Sequence, residues 1–145
     1  MATLIHPGDE VFLDTSYAIA ISSPKDELHD RALALALELE AAKARITTTR
    51  AVTFEIGSAL AKRRFRESAV ILLQSFEDDD SIEIVPTTRD LYANSLELFA
   101  ARRDKEWGLV DCCSFVVMEK RNLRKALTAD EHFVQAGFQA LLRMI

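Results

Sequence analysis

Glycine and proline are scarce in this chain, at four and three among 145 residues. That scarcity excludes collagen-like and low-complexity architectures, and no segment repeats along the sequence in the way a solenoid requires. Cysteine is rarer still. The two present, Cys112 and Cys113, are adjacent, which is poor geometry for a structural disulfide and too few ligands for a zinc site; both are expected to be buried, reduced thiols. No apolar run approaches the roughly 20 residues that a membrane-spanning helix needs. The opening segment holds Pro7, Gly8, Asp9 and Glu10 in place of the apolar stretch of a secretory signal, so a cytoplasmic protein is expected. Positive charge is also in deficit. With 18 Lys and Arg against 23 Asp and Glu, the net charge of −5 argues against a protein that coats nucleic acid through bulk positive charge. A nuclease is not excluded, because acidic residues gathered in a metal site are offset once a cation binds, and local basic patches still grip phosphates.

What is present is a chain of ordinary domain size with 49% hydrophobic residues, enough for one compact core, and residues 1–145 are read as a single domain. Short apolar runs alternate with helical patterns. Residues 11–13 read as a buried strand ending at Asp14, followed by a short helix over 15–21 that Ser22, Ser23 and Pro24 stop. A second helix is expected over 26–44, where Leu28, Ala32, Leu35, Leu39 and Ala42 share one face and β-branched residues are missing. Residues 45–48 form a candidate strand, with Thr48 or Thr49 capping a helix that extends to about residue 64. Residues 67–76 read as a helix that turns Val70, Ile71, Leu72 and Leu73 toward the sheet, and 81–85 as a strand that Pro86 ends. An amphipathic helix over 88–103 places Leu91, Ser95, Leu98 and Phe99 inward, and another helix spans 110–121. A strand over 126–129 leads to Asp130, then a helical turn over 131–135 and a last strand over 138–143. This alternation predicts an α/β fold with a parallel sheet and helices on both faces.

In such sheets, sites form beyond the C-terminal ends of the strands. Asp14 and Asp130 follow directly on expected strands, and Glu55 and Asp111 lie in early turns of helices that leave the same edge. Taken singly, each acid has a plain reading: an Asp after a strand is commonly a helix cap, and Glu55 could be an ordinary solvated residue. However, Phe54 and Ile56 flank Glu55, and Asp111 sits between Val110 and Cys112, apolar settings in which a charge needs a partner. Carboxylates about 4 Å apart repel by a few kcal/mol at an effective dielectric of about 20, so four together require a cation. Oxygen-only donors favour Mg²⁺ or Mn²⁺, and Thr15, Ser16 and Thr128 are candidates to orient the carboxylates or a bound water. The expected chemistry is in-line hydrolysis of a phosphodiester, in which the cation lowers the pKa of water and neutralises phosphate charge.

Lys62, Arg63, Arg64 and Arg66 form one basic cluster, and Arg102, Arg103 and Lys105 another. Each reads equally as a phosphate-binding patch or as a solvated helix end whose charge complements the dipole. Trp107 is expected to pack beside the third acid more than to stack on a base. His132 lacks a partner pattern for a triad or a zinc site, so capping or surface duty is expected of it.

At these residues the sequence resembles the PIN-domain family, and within it the VapC-type toxins of bacterial toxin–antitoxin pairs. The resemblance runs over nearly the whole chain. Phe12-Leu13-Asp14-Thr15-Ser16 looks like the family's opening strand and first acid, and Thr53-Phe54-Glu55-Ile56 like the helix carrying the second. Trp107-Gly108-Leu109-Val110-Asp111-Cys112-Cys113-Ser114-Phe115 resembles the third motif, and Leu127-Thr128-Ala129-Asp130-Glu131-His132-Phe133 the fourth. The resemblance implies a five-stranded parallel sheet in a three-layer sandwich and a divalent-metal-dependent endoribonuclease in which Asp14, Glu55, Asp111 and Asp130 hold the metal. It also implies an RNA substrate, a homodimer and a small cognate antitoxin that inserts a segment into the site. Gly108 stands where many relatives carry Ser, and Asp104 falls in the variable approach to the third motif, where a loop charge is the simpler reading than an outer contributor. Two other classes have requirements that this sequence meets less well. A PIN-like scaffold that only binds a partner has no need of four intact acids. A phosphorylatable receiver-type signalling module would want a further acidic pair after the first strand and a Lys after a late one, whereas Asp14 precedes Thr15-Ser16 and residues 126–130 contain no Lys.

Overall fold

The computed structural model describes residues 2–145. Five strands form one sheet: β1 (Glu10–Leu13), β2 (Arg45–Thr49), β3 (Ile82–Val85), β4 (Lys125–Leu127) and β5 (Gln139–Ala140), in the spatial order β3-β2-β1-β4-β5. Every pairing is parallel, so each connection is a crossover that carries helices. Helices α1 (Thr15–Ser22) and α2 (His29–Ala42) link β1 to β2, and α3 (Arg50–Ala59) and α4 (Arg63–Asp78) link β2 to β3. Helices α5 (Arg89–Ala101) and α6 (Leu109–Lys120) lead to β4, and the five-residue α7 (Glu131–Gln135) leads to β5. The α/β class and the five-stranded parallel sheet are those expected. The spatial order differs from the 2-1-3-4-5 order of receiver-type folds.

The central strands read as continuous apolar runs because neighbours cover both faces. Val11 and Phe12 are wholly buried, and Leu13 is 2% exposed. Strand β2 instead carries Thr47, Thr48 and Thr49, all buried. Their hydroxyls are satisfied: Thr48 donates to the Leu13 carbonyl at 2.7 Å, Thr47 to Glu10 at 2.9 Å, and Thr49 caps α3 by accepting from the Val52 N–H at 3.1 Å. Of the expected inner face of α2, Ala32, Leu35, Leu39 and Ala42 are buried on the helix, while Leu28 precedes it as the cap residue and is partly buried.

Four expectations need correction. Helix α3 stops at Ala59, not near residue 64. Leu60 is drawn into the core at 6% exposure, which turns the chain, and Arg66 closes that turn by donating twice to the Ala61 carbonyl, at 3.1 and 2.8 Å. The basic cluster therefore opens α4. Within α4 the buried residues are Ala69 and Phe76, while Val70 and Ile71 are 47% and 63% exposed; four consecutive residues spread around a helix and cannot share a face. On α5, Leu91 and Ser95 are buried and Leu98 partly so, but Phe99 is 46% exposed. The last strand is only Gln139–Ala140, succeeded by a 3₁₀ turn, Leu141–Arg143. Leu141 and Leu142 are both fully buried within that turn, where the backbone has already left the sheet.

The topology dictates where a site can form. The chain steps outward from β1 through β2 to β3, then returns to lay β4 on the other side of β1. The strand order reverses between β1 and β4, and a crevice opens beyond their C-terminal ends. Leu35 and Leu37 test the packing of α2 beneath this frame, being wholly buried and 70% exposed respectively. Leu35→Ala is expected to cost about 2–5 kcal/mol in urea denaturation, and Leu37→Ala less than about 0.5 kcal/mol. Equal losses would contradict the assigned face.

Candidate metal centre

Asp14 sits at the head of α1, in the position of a cap, yet its side chain makes no capping hydrogen bond. The carboxylate turns instead into the crevice between β1 and β4 and is only 4% exposed. The Asp14 N–H donates to the Leu127 carbonyl at 3.2 Å, which joins the two strand ends. Asp14 Oδ2 accepts from the Thr128 hydroxyl at 2.7 Å and from the Ser16 hydroxyl at 3.2 Å. Those two hydroxyls are themselves held: Ser16 Oγ accepts from the Ala129 N–H and Thr128 Oγ1 from the Asp130 N–H, both at 3.0 Å. Thr15, next in the chain, donates its hydroxyl to Glu55 Oε1 on α3.

The other two acids arrive on helix starts. Asp130 caps α7, accepting from the His132 N–H at 2.8 Å. Asp111, in the first turn of α6, accepts from the Gly108 N–H at 3.1 Å. Gly108 is the helix cap itself, and a β-carbon there would come no closer than 3.9 Å to Asp111 Oδ2, so the position has room for a small side chain. Edge-on aromatic contacts fix both segments from beneath. Phe115 on α6 meets Phe133 on α7 with ring centroids 4.9 Å apart, and Trp107 meets Phe115 at 5.0 Å.

The structure brings the four acids to one edge. Burial above all pushes the Asp14 carboxyl up to about 6, against the opposing bond from Thr128, and the carboxylates of Asp111 and Glu55 add to the rise. Asp111 is also raised, by burial first and by Asp130 in part, against the hydrogen bonds from His132 and Gly108. Among the described residues no Lys or Arg forms an ion pair with any of the four. The donors fit a divalent cation: several carboxylates meet with no fixed positive partner, and Asp111, Asp130 and His132 place one ligand atom each within 4.8 Å of one another.

His132 is the residue that the sequence reading missed. Its ring Nδ1 lies 3.1 Å from Asp111 Oδ2 and 3.4 Å from Asp130 Oδ1, inside the cluster and not on the outer surface. Its place two residues after a capping Asp was the available signal, since the first turn of α7 folds the ring back over the cap. Trp107 packs as expected, 6% exposed and donating to Gln135 at 3.0 Å. Asp104 is a loop charge in a bidentate pair with Arg102, both contacts 2.9 Å. Arg102, which also lies over the Trp107 ring at 4.9 Å, is thus already engaged. Lys62, Arg63 and Arg64 stand exposed. Cys112 and Cys113 are buried free thiols.

A parallel sheet of this order with acids at its switch point defines a PIN-type α/β protein. Residues 11–139 match the PIN domain family model, and the chain belongs to that family. It is 27% identical over 128 residues to the 23S rRNA-specific endonuclease VapC20 of Mycobacterium tuberculosis, in strains CDC 1551 / Oshkosh and ATCC 25618 / H37Rv alike, which covers 88% of this chain and 95% of the relative. The crystal structure of Mycobacterium tuberculosis VapC20, described as a sarcin-ricin loop cleaving toxin, matches with a TM-score of 0.79 at 27% identity, over 90% of this chain and 97% of that one.

The Asp14 environment makes stability depend on pH. The ordinary value for the group is 3.8 and the folded value about 6, so the folded chain holds this proton more tightly than the unfolded chain does. The group costs nothing below about pH 4, and the penalty grows to its full size, on the order of 3 kcal/mol, as pH rises through 6. In the presence of a chelator, Asp14→Asn is expected to raise the midpoint of chemical denaturation at pH 7 and to change it little at pH 4. A loss of stability at pH 7 would contradict the assigned environment.

Proposed function

We propose that the protein is a divalent-metal-dependent endoribonuclease, with Asp14, Glu55, Asp111 and Asp130 holding the metal, and that it is the toxin of a toxin–antitoxin pair. The observation that carries this reading is the gathering of four carboxylates at the β1/β4 switch point with Asp14 buried and, among the described residues, none of the four in an ion pair with Lys or Arg. The kinship with an RNA-cleaving toxin supports it. Mg²⁺ or Mn²⁺ is the expected ion, and when bound it would supply Lewis acidity toward a phosphodiester oxygen and acidify water.

The chain's own groups perform the remaining tasks. Thr128 and Ser16 hold the Asp14 carboxylate in one orientation, and Thr15 does so for Glu55, so the acids do not have to be ordered when substrate arrives. Lys62, Arg63 and Arg64, exposed at the start of α4, offer positive charge for RNA phosphates on a chain whose net charge of −5 otherwise repels them. The expected protein partners are a cognate antitoxin and a second copy of the chain. Exposed Tyr92, Leu96 and Phe99 at helical spacing on α5, and Phe54 and Ile71 on α3 and α4, provide apolar surface for such contacts.

The relative's substrate, 23S ribosomal RNA, is the first RNA to try. Purified protein is expected to cleave it with Mg²⁺ or Mn²⁺ and to stop when the ion is chelated. Asp14→Asn and Asp111→Asn are each expected to slow cleavage by about a hundredfold or more, with folding followed by circular dichroism. Folded variants that retain full activity would overturn the assignment.

A further inference from the structure

The acids supply oxygen, but the side chain lying between two of them supplies nitrogen. His132 Nδ1 is 3.1 Å from Asp111 Oδ2 and 3.4 Å from Asp130 Oδ1. Neighbouring ligands in an octahedral shell with bonds of about 2.1 Å lie roughly 3 Å apart, and opposite ones a little over 4 Å. Both nitrogen–oxygen separations thus match adjoining ligands in one coordination shell, and Asp111, Asp130 and His132 each bring one ligand atom within 4.8 Å of the other two. The ring is also held in place. Its backbone N–H is bound by Asp130 at 2.8 Å, its neighbour Phe133 is wholly buried, and its own side chain is 26% exposed. Such fixing is what a metal-binding residue needs, since ligands left mobile lose affinity to their own ordering.

We propose that His132 is a nitrogen ligand of the same cation, and that it biases the centre toward Mn²⁺ over Mg²⁺. The inference rests on the reading of the four acids as a metal centre. A carboxylate-only set suits Mg²⁺ well, because that ion is hard, whereas imidazole is accepted more readily by transition ions. The competing role for the ring is that of a hydrogen-bond donor, with Nδ1–H directed at Asp111 to steer its carboxylate. The two roles differ in measurable ways.

The test uses the whole protein and the metal ions alone. Pulsed electron paramagnetic resonance of the Mn²⁺-loaded protein is expected to show coupling of the ion to ¹⁴N, and the coupling is expected to vanish in His132→Gln. The Gln amide can still donate to Asp111, so a steering role would survive that substitution while ligation through nitrogen would not. In calorimetric titrations, His132→Gln is expected to weaken Mn²⁺ binding about tenfold and Mg²⁺ binding by less. His132→Phe repeats the comparison without any hydrogen bond, and both variants are checked by thermal melting. Mn²⁺ binding without nitrogen coupling in the unaltered protein, or equal losses for the two ions, overturns the ligand role and leaves the acid centre standing. Failure of the unaltered protein to bind Mn²⁺ at all overturns the acid centre and this inference together.

Discussion

Negative charge crowded at the C-terminal ends of β1 and β4 is the constraint around which this structure is arranged. A carboxylate as buried as that of Asp14 is tolerated only because Thr128 and Ser16 donate to it, and even so its carboxyl is pushed up to about 6. Hydrogen bonds to the ionised form soften the loss of water without removing it. The remaining strain is electrostatic, and Asp111, Glu55 and Asp130 all share in it. A group of this kind is poorly placed for stability and well placed to receive a cation.

Holding acids together against repulsion requires a rigid foundation, and the core provides one. Phe12 of β1, Phe115 of α6 and Phe133 of α7 are in ring contact, with Phe12 and Phe133 centroids 6.3 Å apart, and Trp107 extends the stack. Each such pair contributes about 0.5–1.5 kcal/mol beyond the area it buries. Together with burial, that is comparable to the few kcal/mol of repulsion between close carboxylates. The segments that deliver Asp14, Asp111 and Asp130 are therefore pinned from below by apolar contacts while their charged ends are pressed apart above. Parallel pairing serves the same end, since it directs the C-terminal ends of all the strands to one edge.

How much of this could be read from the sequence follows from the range of the forces involved. Strand β1 and helix α2 were legible because an unbroken apolar run and a single helical face are local patterns, and they survive folding unaltered. The acids at strand ends and helix starts were legible for a related reason: in an α/β chain, position in the element already implies position in the molecule. The end of α3 was not, because it depends on Leu60 finding the core, and neither was the brevity of β5, because the burial of both Leu141 and Leu142 is settled by distant neighbours. Val70 and Ile71 misled because their apolar character was read without the angular spacing that a helix imposes. His132 escaped for a different reason. Its meaning arises from Asp111, 21 residues away in sequence, and its place two residues after the capping Asp130 points to one carboxylate without announcing the other.

The most direct measurement is an anomalous difference map from crystals grown with Mn²⁺. The account predicts a single strong peak, or a close pair, within bonding distance of carboxylate oxygens from Asp14, Asp111 and Asp130, with Glu55 at the same pocket. A peak bonded elsewhere on the molecule, or density at this edge with no ion when Mn²⁺ is abundant, would contradict the claim that these acids are held together to receive a metal.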